Sequence, residues 1–398
     1  MLKKFFFAGV FLVASFLSNA QEFKNSEKSN YSFKKVYHHD ATPVQSQGNT
    51  GTCWSFSALS FFESELIRMG VKNPPVLSEM YIVRKAYEMK ADKFIRMDGK
   101  INFSEGGAFH DIPYVMNQFG VVPFDIYNGL NGATTYNHST MFNELNTVVQ
   151  NTLKLVGQSE GIPLDWKNQI YKTLDKNLGA DPVEFTWEGK KYTPSSYAQS
   201  LGLNMDNYVS LTSFTNHAPY KKCQLAIQDN WAWGDSYNVS LDDLVKSVKE
   251  ALEKGYTVAW GADVSEKGFS FKNGIAIVPE NIASIEVQGK DNKNFSDAGA
   301  DRVSNAFLNP TKEMKITPEV RQIGYDNKTT TDDHGMHIVG LYKDQNGTDY
   351  FLVKNSWGTA NYPKGYLYVS EAYFRYKTIN IFIHKDAINK DIKSTLGL

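Results

Sequence analysis

Gln45-Ser-Gln47-Gly-Asn-Thr-Gly-Thr-Cys53-Trp-Ser-Phe-Ser-Ala58 is the stretch from which the rest of the chain is read. Two glycines and a threonine lead into a cysteine at the head of an apolar run. Ala58, Phe62, Leu66 and Met69 recur at helical spacing, and Gly70 stands where a helix would stop. With Thr52 as N-cap, Cys53 falls in the first helical turn. Unpaired N–H groups and positive potential gather there, so the position is expected to favour thiolate over thiol and to lower the cysteine pKa. The thiolate is the nucleophilic form. A lone cysteine is more often a small buried hydrophobe. Here the glycine-rich approach and the Cys-Trp pair point to chemistry instead.

Two later segments carry the residue types such a nucleophile needs: Asp333-His334-Gly335-Met336 and Lys354-Asn355-Ser356-Trp357-Gly358. Gln47 precedes Cys53 by six positions, and Trp54-Ser55-Phe56 follow it. The order Cys, then His, then Asn far downstream resembles the papain-type cysteine peptidases. The resemblance implies Cys53 as nucleophile, His334 as acid and base, and Asn355 as the group that orients His334. It also implies an oxyanion hole from the Gln47 side chain and the Cys53 N–H. Gly106, Gly107 and Trp357 are the candidate substrate-side residues by the same likeness. In the family the tryptophan also shields the His–Asn bond from water.

Composition limits the other classes. The 398 residues hold 42 basic and 43 acidic side chains, a net charge of −1, so bulk charge implies neither a nucleic-acid nor an anionic-membrane partner. Lys3 and Lys4, the apolar run Phe5 to Leu17, and Ser18-Asn19-Ala20 read as an export signal removed before Gln21. An N-terminal membrane anchor is the alternative, but the run is short for a bilayer span. A periplasmic or extracellular protein with no integral membrane segment after signal removal is expected. Cys53 and Cys223 are the only cysteines, too few for a disulfide framework. Cys223 is read as an unpaired, small buried hydrophobe. Many secreted relatives carry a disulfide close to the nucleophile; Gly and Thr stand there in this chain, which points to a disulfide-free branch.

Residues 21–44 read as a short polar arm without period, leaving no room before Gln47 for the long inhibitory prosegment of papain-type zymogens. Pro74-Pro75 breaks the chain, and Ser78 caps a second helix carrying Tyr81, Ile82, Ala86 and Met89. Ser104-Glu105-Gly106-Gly107 precedes a helix that ends near Phe119-Gly120. Adjacent glycines leave backbone groups uncovered, so an extended peptide could pair there as an added strand, although an ordinary flexible loop has the same composition. Helices are predicted over 141–156, 164–178 and 241–254, the last with Ser240 and Asp243 at capping-box spacing, and a β-rich run over 255–262. Cys53 and His334 lie 281 positions apart, about twice the spacing of compact papains. That excess and the middle block resemble bleomycin hydrolase and bacterial aminopeptidase C. Residues 263–333 read as loops over the core. The strand His334 to Tyr342, the turn Asp344-Gln345-Asn346-Gly347 and the strand Tyr350 to Lys354 form a hairpin that returns Asn355 towards His334. His334 and His337, three apart on a strand, face opposite sides and could not share a metal. No metal or other cofactor is implied.

The expected fold is α+β and two-lobed: a helical lobe with the nucleophile helix and a β-rich lobe with the histidine and asparagine, enlarged by a helical insertion over about 124–255. Residues 1–20 are read as the signal and 21–398 as one peptidase domain. The expected activity is hydrolysis of peptide or protein substrates through a thioester, in the manner of an aminopeptidase C-like exopeptidase. An endopeptidase, a thiol acyltransferase and a non-catalytic binding protein of the same fold remain as alternatives. The resemblance further implies a hexamer and a C-terminal arm whose carboxylate receives the substrate amine. The short tail after Asn355 and the export signal depart from that branch on both points.

Overall fold

A helix forms over each stretch for which apolar spacing and caps predict one. The computed structural model describes residues 23–156, 158, 161–288 and 301–398, so the candidate export segment 1–20 lies outside the described residues. The first half runs β1 (Lys34–His38), α1 (Cys53–Arg68), α2 (Glu79–Arg96), α3 (Asp111–Phe119), α4 (Ser139–Val156) and α5 (Trp166–Leu178). A small hairpin of β2 (Phe185–Trp187) and β3 (Lys190–Tyr192) leads to α6 (Pro194–Ser200). Then come β4 (Tyr208–Thr212), β5 (Lys222–Gln224), β6 (Asp235–Asn238), α7 (Leu241–Glu253) and β7 (Val258–Ala262). Short strands β8 (Phe269–Ser270), β9 (Ile275–Ala276), β10 (Glu286–Gln288) and β11 (Asp301–Val303) precede α8 (Pro318–Asp326). The chain finishes with β12 (His334–Lys343), β13 (Asp349–Lys354), β14 (Tyr366–Ser370), α9 (Glu371–Lys377), β15 (Thr378–His384) and α10 (Lys390–Leu396).

Local chemistry explains the boundaries. Past α1, the Gly70 N–H donates to the Ile67 carbonyl and the Val71 N–H to that of Leu66, closing the helix at a glycine with φ of +96°. Ser78 accepts from the Tyr81 N–H at 3.0 Å and starts α2. Ser240 likewise accepts from the Asp243 N–H, but the Asp243 carboxylate accepts from the Tyr220 hydroxyl, so half of the expected capping box forms. In the β12–β13 hairpin the Asp344 carboxylate accepts from the Asn346 and Thr348 N–H groups and fixes the predicted turn.

The main sheet has eleven strands in the order β5-β6-β4-β15-β7-β12-β13-β14-β9-β8, with β1 added against β12. β7 and β15 are buried along their whole length and β12 along all but its last residue, so their sequences read as nearly continuous apolar and small residues. One core gathers α1 to α5 around Phe61, Phe62, Met80, Ile82, Tyr87 and Leu145. A second gathers α7, α9 and α10 against the sheet around Trp260, Ile338, Phe351 and Phe374. These are the two lobes, and α1 packs between them against β12.

Three expectations need revision. From Phe23 on, the arm 21–44 is built into the fold: β1 pairs antiparallel with β12, and Tyr31 and Phe33 are fully buried in a third cluster with Tyr350 and Tyr368. Residues 263–333 are not loops throughout, because β9 joins β14 in the main sheet and α8 carries the buried Arg321. The insertion over about 124–255 carries α4 to α7, but it is not helical throughout: besides the β2–β3 hairpin it holds β4, β5 and β6, which extend the sheet through β15. Among the described residues no helix is long and apolar enough to cross a membrane. Both cysteines are free, and Cys223 is half-buried on the edge strand β5 rather than in a core.

Candidate active site

Cys53 is the first residue of α1. As such it has no intrahelical acceptor for its own N–H. Thr52 holds the N-cap position, yet its hydroxyl pairs with that of Thr50 at 2.6 Å rather than capping the helix. The approach to the cysteine is held by neighbours that leave little slack. The Gly51 N–H donates to the Glu105 carboxylate at 2.8 Å, and Trp54 Nε1 donates to the Glu105 carbonyl at 3.1 Å. Gly48 has φ of +57°, and a Cβ there would sit 2.5 Å from the Tyr136 carbonyl oxygen.

Gln47 is buried and bridges the lobes. Its backbone N–H donates to the Ser356 carbonyl at 2.9 Å, and Ser46 pairs with Trp357. The side-chain amide is oriented by two contacts: the Ser356 hydroxyl donates to Oε1 at 2.6 Å, and Nε2 donates to the Thr50 carbonyl at 2.7 Å. One Nε2 hydrogen therefore remains for another acceptor.

His334 opens β12 and Asn355 follows β13, so the hairpin register joins them. His334 Nε2 lies 2.7 Å from Asn355 Oδ1, which also accepts from the Ser356 N–H at 2.8 Å. An amide oxygen only accepts, so Nε2 carries the hydrogen and Nδ1 is left with its lone pair. The Trp357 ring lies 4.6 Å from the imidazole and is held edge-on by Phe269 and Phe271. Trp357 thus covers the His334–Asn355 pair. Burial pulls the His334 pKa down to about 4 against the opposing effect of the Asn355 hydrogen bond, so the resting imidazole is neutral.

Cys53 and His334 line one cavity with Trp54, Gly107, Phe109, Gly261 and Asn380. Asp229, Asp332 and Asp333 line it too. The expected low thiol pKa is overturned. Burial, followed by the charges of these three aspartates, pushes Cys53 up to about 12, and the Gly335 backbone N–H opposes them only in part. A low-dielectric, anionic surround outweighs the helix start. Gly106 lies under the Asp229 side chain: a Cβ there would meet Oδ2 at 1.9 Å. Gly107 packs on Trp54, with 2.8 Å left for a Cβ.

His337 takes no part in the cavity. It is fully buried behind α1, with Nδ1 2.9 Å from the Ser60 hydroxyl. Lys354 donates to the same hydroxyl at 2.7 Å and to Thr42, which in turn pairs with Glu63. Among the described residues no group of three His, Cys, Asp or Glu is placed to hold a metal ion. The residues lining the cavity end at Asn380, while α10 packs Ile392 and Leu396 into the second core. Asp229, Ser356 and Thr50 were not singled out from the sequence. Ser356 and Thr50 stand inside the quoted segments, but Asp229 is 176 positions from Cys53 and carries no local signal.

A cysteine at a helix start, a histidine and asparagine on a neighbouring hairpin, and a glutamine between the lobes stand in the arrangement of a cysteine peptidase of papain-like fold. The chain belongs to the Peptidase C1-like family, whose pattern matches residues 78–318 and 317–397. Among its relatives, aminopeptidase C of Lactococcus lactis subsp. lactis is 23% identical over 390 residues, covering 88% of this chain and 82% of the relative. Aminopeptidase G of Lactobacillus delbrueckii subsp. lactis is 21% identical, covering 89% and 83%. The crystal structure of PepW from Lactobacillus rhamnosis superposes with a TM-score of 0.69 at 17% identity, over 92% of this chain and 84% of that one.

Proposed function

We propose that this chain is an exported cysteine aminopeptidase that works through Cys53, His334, Asn355 and Gln47. The His334–Asn355 pair at 2.7 Å, in one cavity with Cys53, is the observation that carries the reading. With Nε2 bound to Asn355, Nδ1 of His334 is the nitrogen able to take the thiol proton. The thiolate attacks the peptide carbonyl, and the oxyanion draws on the Cys53 N–H and the remaining Nε2 hydrogen of Gln47. The protonated His334 gives its proton to the leaving amine, leaving a thioester on Cys53. It then deprotonates the water that releases the acid. Gly107 offers backbone for the substrate beside the nucleophile. The exopeptidase reading draws on the named aminopeptidases among the relatives.

Digestion of one defined peptide, free and N-acetylated, tests this with products identified by mass. Stepwise loss of single residues from the free peptide alone is expected; internal cleavage of both forms would make it an endopeptidase. For export, N-terminal sequencing of protein recovered outside the cytoplasm should begin at Gln21.

A further inference from the structure

Residues 225–234, between β5 and β6, lie against the glycine edge of the cleft and are pinned there. Asn230 staples the segment, its Nδ2 donating to the Leu225 and Gly234 carbonyls and its Oδ1 accepting from the Gly234 N–H at 2.8 Å. Lys93 Nζ donates to the Trp231 carbonyl at 2.7 Å and stacks 3.3 Å from the Trp233 ring. The Ser104 hydroxyl donates to Asp229 Oδ1 at 3.2 Å. With Oδ2 only 1.9 Å from where a Cβ at Gly106 would stand, this leaves the Asp229 carboxylate on the backbone where an extended peptide would otherwise pair. A substrate chain running past Gly107 meets a carboxylate instead of an open edge.

The carboxylate at this block has a second one beside it in the cavity. Asp333 is engaged, accepting from the Val264 N–H at 2.8 Å. Asp332 accepts no hydrogen bond and joins no ion pair among the described residues, although it lines the cavity with Cys53. Lys90, the lysine that acts electrostatically on Asp229, donates to the Ser104 and Gly106 carbonyls. Burial first, then the charges of Asp229, Asp111 and Asp263, raise the Asp332 carboxyl well above the usual range. Among the described residues lining the pocket, acceptors are in excess and no Lys or Arg stands between them.

We propose that Asp229 and Asp332 together bind the α-ammonium of the substrate's first residue, and that Asp229 closes the cleft just beyond it. The proposal rests on the aminopeptidase reading and names its specificity-determining residues. The two carboxylates offer charge-assisted acceptors that an N-acetylated or N-extended peptide cannot use, and desolvating them without a cation is unfavourable. The bound ammonium also offsets the negative charge that opposes thiolate formation at Cys53, so a substrate with a free amine improves the nucleophile that cleaves it.

The test compares kcat/KM for leucine anilide with that for its desamino analogue, 4-methylpentanoic anilide. Wild type, Asp229→Asn and Asp332→Asn are each normalised to Cys53 titrated with iodoacetamide, so misfolded protein is not counted. Wild type should prefer the amine by at least about 100-fold, and each substitution should cut that preference by about ten-fold, mainly through KM. Asp332 makes no hydrogen bond among the described residues, so its variant is the less able to act through misfolding. A preference unchanged in both variants would overturn the assignment and leave the aminopeptidase reading standing. Equal turnover of the two anilides by wild type would remove that reading and the proposal with it.

Discussion

Nε2 of His334 donates to Oδ1 of Asn355 across 2.7 Å, and the Ser356 N–H donates to the same oxygen. The asparagine oxygen is thereby held between its own backbone and the imidazole. This fixes the tautomer and leaves Nδ1 with its lone pair, as the proposed base requires. Replacing Asn355 with Ala frees the ring to rotate and to exchange tautomers. Turnover per titrated site should fall roughly 10- to 100-fold, the usual loss when a group orienting a functional imidazole is removed. An unchanged rate would show that the Trp357 packing alone holds the ring.

Cys53→Ala should abolish turnover while thermal stability stays close to wild type, because the change in volume is small. Cys223→Ala, on the edge strand, should keep nearly full activity. Activity lost with Cys223 and kept without Cys53 would reverse the assignment of the nucleophile.

Gln47→Ala should lower kcat by roughly 10²–10³-fold with little change in KM, the usual cost of one oxyanion donor. Ser356→Ala removes the hydroxyl that donates to Gln47 Oε1 and lets the amide reorient, so it should give a smaller loss in the same direction. Substitutions that lower the melting temperature but not the rate per active site would leave Gln47 with a structural role only.

His337→Ala separates the two histidines. The side chain is fully buried against Ser60 and edge-on to Phe61, away from the cavity. Stability should fall by about 1–3 kcal/mol through the cavity and the unpaired partner, measured by urea denaturation, while kcat per titrated site is retained. His334→Ala should do the reverse. Comparable losses of kcat from both would sink the choice of base.

Glu79 supplies a pH dependence with a definite sign. Burial, then the charge of Glu63, raises its carboxyl from the ordinary 4.5 to about 8. A folded-state pKa above the unfolded one means a contribution that is complete below about pH 4.5 and lost as pH climbs through 8. Glu79→Gln removes that loss. Between pH 5 and 8 the variant should gain on wild type by a few degrees in Tm, and parallel curves would show that Glu79 ionises freely in the fold.

Much of the site could be read from local sequence because its parts depend on short-range rules. The period of Ala58, Phe62 and Leu66 with Gly70 made α1, and Ser78 made the start of α2. The Asp344–Gly347 turn set the register that brings Asn355 to His334, since a two-stranded hairpin fixes its pairing by its turn. Strand alternation alone turns His337 to the side of β12 opposite His334. The segments that form β1 and β9 are not legible as strands within 21–44 and 263–333, because five and two residues carry little period. They become strands only when a partner such as β12 or β14 supplies the hydrogen bonds.

The sequence by itself determined which residues could perform the chemistry, because nucleophile, base, orienter and oxyanion donor are set by residue type and by spacing along helix and hairpin. Only the tertiary structure decided the electrostatics and shape of the cleft. Asp229 reaches Gly106 from a loop more than a hundred residues away, and burial with Asp332 and Asp333 raises the thiol that the helix start alone would lower. Charge–charge energies depend on distance and on exclusion of water, and neither is defined until the chain has folded.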